Sequence, residues 1–212
     1  MNDARERLPN RVWFLWFEGI DKAPPVVKEC YRSWIDRNPT WDVTLLTRQN
    51  VADATGIDPE VAFRRGLSPA HVSDLVRTEL LSHHGGIWTD ATCFCARSLD
   101  LWLPDCMGSG FFAFARPGRD RVISSWFLAS ERGNAVPTLL HRELDEYWSH
   151  TSDTEKRVIR FALEKVLQWS PRTADLWFSP VIEDRLKISP YYAFHYKFHD
   201  LVRSNPECRL IW

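Results

Sequence analysis

The stretch that decides the fold is HVSDLVRTELLSHHGGIWTDATCF, residues 71–94. It reads as helix, turn and strand. Ser68-Pro69 ahead of it joins a capping hydroxyl to a proline suited to the first helical position. Val72, Leu75, Val76, Leu80 and His83 recur at helical spacing and predict the buried stripe. Gly85-Gly86 ends the helix, since glycine takes the left-handed cap without steric cost. Residues 87–95 then read as a strand. Alternation along it sets Trp88, Asp90, Thr92 and Phe94 on one face and puts Cys93 and Cys95 together on the other.

The flanks extend this pattern. Val12-Trp13-Phe14-Leu15-Trp16-Phe17 is a continuous apolar run, suited to a strand buried on both faces of a parallel sheet. Ala23-Pro24-Pro25 opens a helix over 26–37, with Val26, Val27, Cys30, Trp34 and Ile35 on its inner side, and Asn38-Pro39 closes it. A second strand follows at 43–46. Strand, helix, strand in that order predict a βαβ unit with a right-handed crossover. Residues 50–67 read as short helices. Residues 111–115 and 125–129 read as strands, 134–148 and 153–168 as helices. From Pro171 the chain reads as a loop-rich tail with aromatic clusters at Trp177-Phe178 and Tyr191-Tyr192. There is no repeat or linker, so 1–212 reads as one α/β domain with a helical C-terminal part.

Composition excludes several function classes. A chain of 212 residues buries roughly 70% of its unfolded surface and needs no covalent staples. A net charge of −1 without basic clusters argues against nonspecific nucleic-acid binding. Cys30, Cys93, Cys95, Cys106 and Cys208 are odd in number and fit no zinc spacing, as expected of reduced thiols in a cytoplasmic protein. The start, MNDARERLPN, is too polar for a signal peptide. No apolar run approaches the ~20 residues that span a bilayer. Eleven Trp imply an aromatic core or ring faces that hold something flat; exposed ones leave room for a peripheral membrane contact. The fingerprints GxGxxG and GxxxxGK[ST] are both absent.

The opening stretch carries the chemistry. Asp74 and Arg77 are three apart and share a helix face. Two readings stand: an exposed ion pair worth a few tenths of a kcal/mol, or a carboxylate and a guanidinium beside a bound nucleotide, the latter clamping phosphate. Asp90 and Thr92, if both point the same way, can converge on a hard cation. Mg²⁺ and Mn²⁺ take oxygen ligands, usually one or two carboxylates with phosphate and water. Such an ion neutralises a departing diphosphate. Thr92 offers only a neutral oxygen, and the plain alternative for Asp90 is a solvated turn acid. His83 and His84 are adjacent on a helix and diverge, which disfavours joint chelation.

SDLVRTELLSHHGGIWTDAT (73–92) resembles the signature of the capsular polysaccharide synthesis glycosyltransferases, relatives of the mannosyltransferases and glucosylating toxins that carry SDxxRxxxLxxxGGxYxDxD. VWFLWFEGIDKAPPVVKECYRSWIDRNPTWDVTLLT (12–47) resembles the family's opening. SSWFLASERGNAVPTLLHRELDEYW (124–148) and PYYAFHYKFHDL (190–201) are weaker matches. The resemblance implies a GT-A fold, a Rossmann-type mixed sheet flanked by helices, with a DXD-type motif at a strand end. By position, Trp16 lies near the nucleotide base. Asp74 and Arg77 contact the nucleotide-sugar, with Trp88 beside them. Asp90 takes the first acid of the motif and Thr92 the second, so Asp90 and Arg77 carry catalysis by stabilising the diphosphate. His195 returns to the metal or diphosphate, and Trp126 shapes the donor or acceptor pocket. The implied cofactor is Mn²⁺ or Mg²⁺; the implied partners are a nucleoside-diphosphate sugar and a saccharide acceptor. Because Thr92 departs from the acidic pattern, a nucleotide-sugar-binding protein without catalysis, or a structural subunit of a polysaccharide assembly complex, is the alternative.

Overall fold

The structure is a computed structural model and describes residues 8–151 and 157–212. Five strands form one mixed sheet: β1 (Arg11–Leu15), β2 (Asp42–Leu46), β3 (Gly86–Thr89), β4 (Phe111–Ala115) and β5 (Ile123–Ser130), in the order β2-β1-β3-β5-β4. β1 pairs in parallel with both β2 and β3, with Val12 opposite Val43 and Ile87. β5 runs antiparallel to β3 and β4, with Leu128 opposite Trp88 and Ala113.

Helices cover both faces of the sheet. α1 (Pro25–Arg37) packs Val27, Cys30 and Trp34 against Val12, Phe14, Ile87 and Phe127. After the short α2 (Val51–Thr55) and α3 (Pro59–Arg64), α4 (Pro69–His83) lies on the opposite face with α5 (Ala135–His150). There Val72, Val76, Leu80, Leu140 and Leu144 meet Trp13, Leu15, Trp88 and Leu128. This is why 12–15 is apolar without alternation: each successive side chain enters a different core. α6 (Arg157–Leu167), α7 (Pro171–Ala174), α8 (Ala193–Ser204) and α9 (Pro206–Ile211) complete the C-terminal part. The architecture is the helix-flanked mixed sheet expected from the sequence.

The double glycine has a double steric cause. Gly85 and Gly86 both have positive φ, 67° and 92°. A Cβ on Gly86 would sit 2.7 Å from the Arg11 carbonyl oxygen, and one on Gly85 would sit 2.7 Å from the Arg132 nitrogen. Trp13 Nε1 donates to Gly85 O at 2.9 Å, pinning the turn to β1. The chain therefore reverses sharply, and α4 and β3 run antiparallel side by side. From His84 back to Arg77 is about 10 Å of helix, and from Gly86 to Asp90 about 13 Å of strand. Residues far apart in the motif thus arrive at one level.

Several expectations change. The third strand ends at Thr89, not 95. The Asp90 N–H donates to Trp126 O at 2.9 Å and the Cys93 N–H to Asp90 O at 2.9 Å, so the chain turns there. Asp90 and Thr92 are turn residues, not alternate positions of a strand. Cys95 is buried against Ser33 and Asn38, while Cys93 lies near Trp126 O; all five cysteines are free. Val26 and Ile35 are exposed, because each lies one helical step, about 100°, off the Val27–Cys30–Trp34 seam. His83 is exposed beside Glu79. The tail after Pro171 is mostly helical rather than loop-rich, since Leu167, Ala174, Trp177, Ile182 and Tyr196 build a third small core. Of the helix expected over 153–168, residues 153–156 lie outside the described residues, as do 1–7 of the polar start.

The topology locates a crevice. From β1 the chain goes to β2 on one side, and then returns to β3 on the other side of β1. Ligands of open α/β sheets bind beyond the carboxyl ends of the strands at such a reversal. β1 ends at Leu15 and β3 at Thr89, so Trp16 and Asp90 are the first residues past those ends.

Candidate active site

A cleft of about 570 Å³ opens at this reversal. It falls in the size range of small-molecule sites. Trp16, Asp74, Arg77, Trp88, Asp90, Thr92, Trp126 and His195 all line it. The structure thus brings together every residue singled out from the sequence.

Asp90 is held by one oxygen. Trp88 Nε1 donates to Oδ1 at 2.9 Å, and Arg77 Nη2 stands 3.3 Å from the same atom. Oδ2 accepts no hydrogen bond from the described residues. The side chain is 34% exposed. This carboxylate is fixed in direction and open on its cleft side.

Arg77 is the fixing group. Its Nη1 donates to Ser125 O at 2.6 Å, its Nε to Ser73 O at 3.2 Å and its Nη2 to Ser73 Oγ at 3.0 Å. Nη2 also stands 3.3 Å from Asp74 Oδ1. The guanidinium lies over Trp88, 5.0 Å from the ring centre. Only 5% of the side chain is exposed. The exposed-pair reading of Asp74 and Arg77 is therefore corrected: both are buried. Each of Arg77's three nitrogens meets a protein group, Asp90 among them, and the residue also lines the cleft. Asp74 is pushed up to about 7, first by burial and further by Asp90, while Arg77 pulls it down.

The other wall comes from the loop between β4 and β5 and from the start of α8. His195 is buried, and its Nδ1 has no hydrogen-bond partner. Burial drives its pKa down to about 3, and the positive Arg121 and Arg77 add to this, so the imidazole is neutral at ordinary pH. His199, one turn on, stands 3.5 Å from Asp175 instead. Trp126 is 38% exposed and stacks on Phe114, with centroids 4.7 Å apart. Trp16 lines the cleft with a buried Nε1 that lacks a partner.

Arg121, Ser73 and Ser125 also line the cleft, with no role assigned from the sequence, as do Tyr191 and Tyr192, which the sequence marks only as an aromatic cluster. Arg121 stacks over Tyr192 at 4.0 Å. For Arg121 the forward signal is the arginine-dense ARPGRDR run at 115–121.

For a divalent cation the residues fit in part. Asp90 Oδ2 is open and Thr92 is exposed at the cleft. Among the described residues no three His, Cys, Asp or Glu side chains converge as a metal cage. Arg77 already offsets the charge of Asp90. Such a donor set suits an ion that arrives with phosphate ligands rather than a bare cation.

The model of the family described as capsular polysaccharide synthesis protein matches residues 1–174. The chain belongs to this family. Among its relatives is the O-glycosyltransferase braB of Annulohypoxylon truncatum, 33% identical over 144 residues, covering 58% of the chain and 34% of the relative. Glycosyltransferase afumC of Aspergillus fumigatus is 31% identical over 101 residues, 42% of the chain and 26% of the relative. The chain thus matches 34% and 26% of the length of these relatives. PaToxG Glycosyltransferase aligns over 91% of the chain and 78% of its own at a TM-score of 0.47 and 12% identity. Among the described residues no helix is long and apolar enough to cross a membrane.

Proposed function

We propose that the chain forms the donor-binding part of a glycosyltransferase that moves a sugar from a nucleoside-diphosphate sugar to a hydroxyl of a saccharide acceptor, in surface or capsular polysaccharide synthesis. The observation that carries this reading is Asp90: a carboxylate held through one oxygen by Trp88 and Arg77, lining a cleft at the sheet's strand reversal. Family membership and the names of the two curated relatives support it.

The division of labour follows from the contacts. Trp16, past the end of β1, supplies an aromatic wall for the base. Asp90 and the Thr92 hydroxyl would hold Mn²⁺ or Mg²⁺ together with donor phosphate oxygens; the ion supplies charge neutralisation of the leaving diphosphate. Arg77 keeps Asp90 aimed. Asp74 holds Arg77 in turn. Trp126, braced by Phe114, shapes the far side, where an acceptor approaches. The sugar–oxygen bond breaks through an oxocarbenium-like state, as in glycoside chemistry, and the chain contributes positioning and electrostatic stabilisation. The reading includes a peripheral place at the cytoplasmic face of a membrane; Val158, Phe161, Val166 and Trp169, exposed on and just after α6, support the membrane contact alone.

A second reading, donor binding without transfer, is favoured by one observation: the position expected to carry a second acid is the neutral, exposed Thr92. A thermal-shift screen of UDP-, GDP- and CMP-sugars, with and without Mn²⁺, separates the readings when paired with product analysis. A ligand that binds only the folded state raises Tm. A Tm rise with sugar transfer fits the enzyme; a rise without transfer fits the binding protein; no rise with any donor contradicts both.

A further inference from the structure

Two guanidiniums line the cleft, and they are in opposite states. Arg77 makes three hydrogen bonds and two ion pairs with protein groups. Arg121 is anchored by a single nitrogen: Nε donates to Asp120 Oδ1 at 3.2 Å. Its two terminal nitrogens make no hydrogen bond with the described residues. The anchor itself is firm. Asp120 is 3% exposed, and its other oxygen accepts from the Tyr196 hydroxyl at 2.6 Å. The guanidinium plane rests on Tyr192, 4.0 Å from the ring centre. Gly118 leaves room for it: a Cβ there would stand 2.5 Å from Arg121 Nη2. A charged fork is thus fixed at its base, stacked on its face and open at its tip. Beside it in the cleft, the buried His195 Nδ1 also lacks a partner.

From this arrangement we infer that Arg121, rather than Arg77, is the cationic group that contacts the anionic portion of the ligand, a diphosphate, with His195 beside it. The inference rests on the glycosyltransferase reading for the identity of the anion, but not for the existence of the site. A guanidinium presents parallel N–H groups that match phosphate oxygens, and its pinned base reduces the entropy lost on binding. No step beyond binding is assigned: Arg121 offsets negative charge on the phosphate oxygens and transfers no proton.

The test is calorimetric titration of the intact chain with UDP, GDP, uridine, guanosine and inorganic pyrophosphate. For wild type, the nucleoside diphosphate that binds does so more tightly than its nucleoside. In Arg121→Gln that advantage falls by about 10- to 100-fold, the range of a lost charge-assisted hydrogen bond, while nucleoside affinity is unchanged. Gly118→Ala keeps the charge but displaces the fork, and loses the same advantage in part; it carries the test should Arg121→Gln not fold. Wild-type affinity for nucleoside diphosphate in both folded variants overturns the inference and leaves the glycosyltransferase reading standing. Pyrophosphate binding that depends on Arg121, with no nucleotide binding at all, upholds the anion site and overturns the nucleotide-sugar reading. Binding of neither overturns both.

Discussion

The two walls of the cleft solve the same electrostatic problem in opposite ways. On the wall built by α4, Gly85-Gly86 and β3, Arg77 ties Asp74, Ser73, Ser125 and Asp90 together, and Trp88 donates to Asp90. On the wall built by the 116–122 loop and α8, Arg121 and His195 keep polar atoms without partners among the described residues. A group with several protein partners fixes geometry, because moving it breaks several bonds at once; one with few partners at a cleft is free to bond a ligand. Under the function proposed above, the first wall aims the site and the second meets the ligand.

The comparison breaks most visibly at Arg77. Arg77→Ala leaves Asp74 buried without its cation and cuts the tie to Ser125, so a loss of about 3–5 kcal/mol of folding stability is expected in urea or thermal unfolding. A loss below about 1 kcal/mol would place Arg77 with the ligand-facing groups instead. Gly86→Ala comes next. Its positive φ and the Arg11 oxygen at 2.7 Å from the new Cβ predict a loss of about 1–3 kcal/mol with activity falling in step, since β1 and β3 no longer meet squarely; unchanged denaturation midpoints would show that the turn relaxes freely.

Asp74 offers a pH signature. Its folded pKa, about 7, lies above the ordinary carboxylate value, so between about pH 4 and 7 the folded state binds more protons than the unfolded one. Stability therefore falls as pH rises through that window. His195, shifted the other way to about 3, favours the folded state less as pH drops below about 6.5, so the two slopes oppose. Asp74→Asn should remove only the first: the Tm of wild type minus that of the variant declines from pH 4 to 7. A flat difference would mean that Asp74 stays ionised throughout. The smallest effect is expected from Thr92→Asp, which adds a carboxylate at the cleft rim. Half-saturating Mn²⁺ in the presence of donor should fall by about 3- to 10-fold; no change would remove residue 92 from the ion's surroundings.

The same contrast explains what was legible in the sequence. The first wall is one contiguous segment. Helix spacing put Asp74 beside Arg77, and the glycines announced the reversal that carries them over Trp88 and Asp90. What spacing could not tell was burial: an i, i+3 ion pair looks the same on a surface as under two aromatic rings, and only Phe194 and Trp88 packing over Arg77 decides it. Strand alternation failed past Thr89 because the pairing with β5 ends at Phe127, and a backbone bond to Trp126 then turns the chain. The second wall was largely illegible. Arg121 and Tyr192 lie far apart in sequence, and the hydrogen bond from Tyr196 to Asp120 that joins their segments is a tertiary event. The helical tail was missed for the same reason: its third core assembles from short pieces that carry no long period of their own.

The central claim is that Asp90, presented by Trp88 and Arg77, acts on a nucleotide sugar in this cleft. The most direct measurement is sugar release or transfer from the donor that stabilises the wild type, assayed for wild type and Asp90→Ala side by side with their Tm values. The expected result is turnover lost by about 10³-fold or more at a Tm within a few degrees of wild type. Near-normal turnover by a folded Asp90→Ala variant would contradict the account.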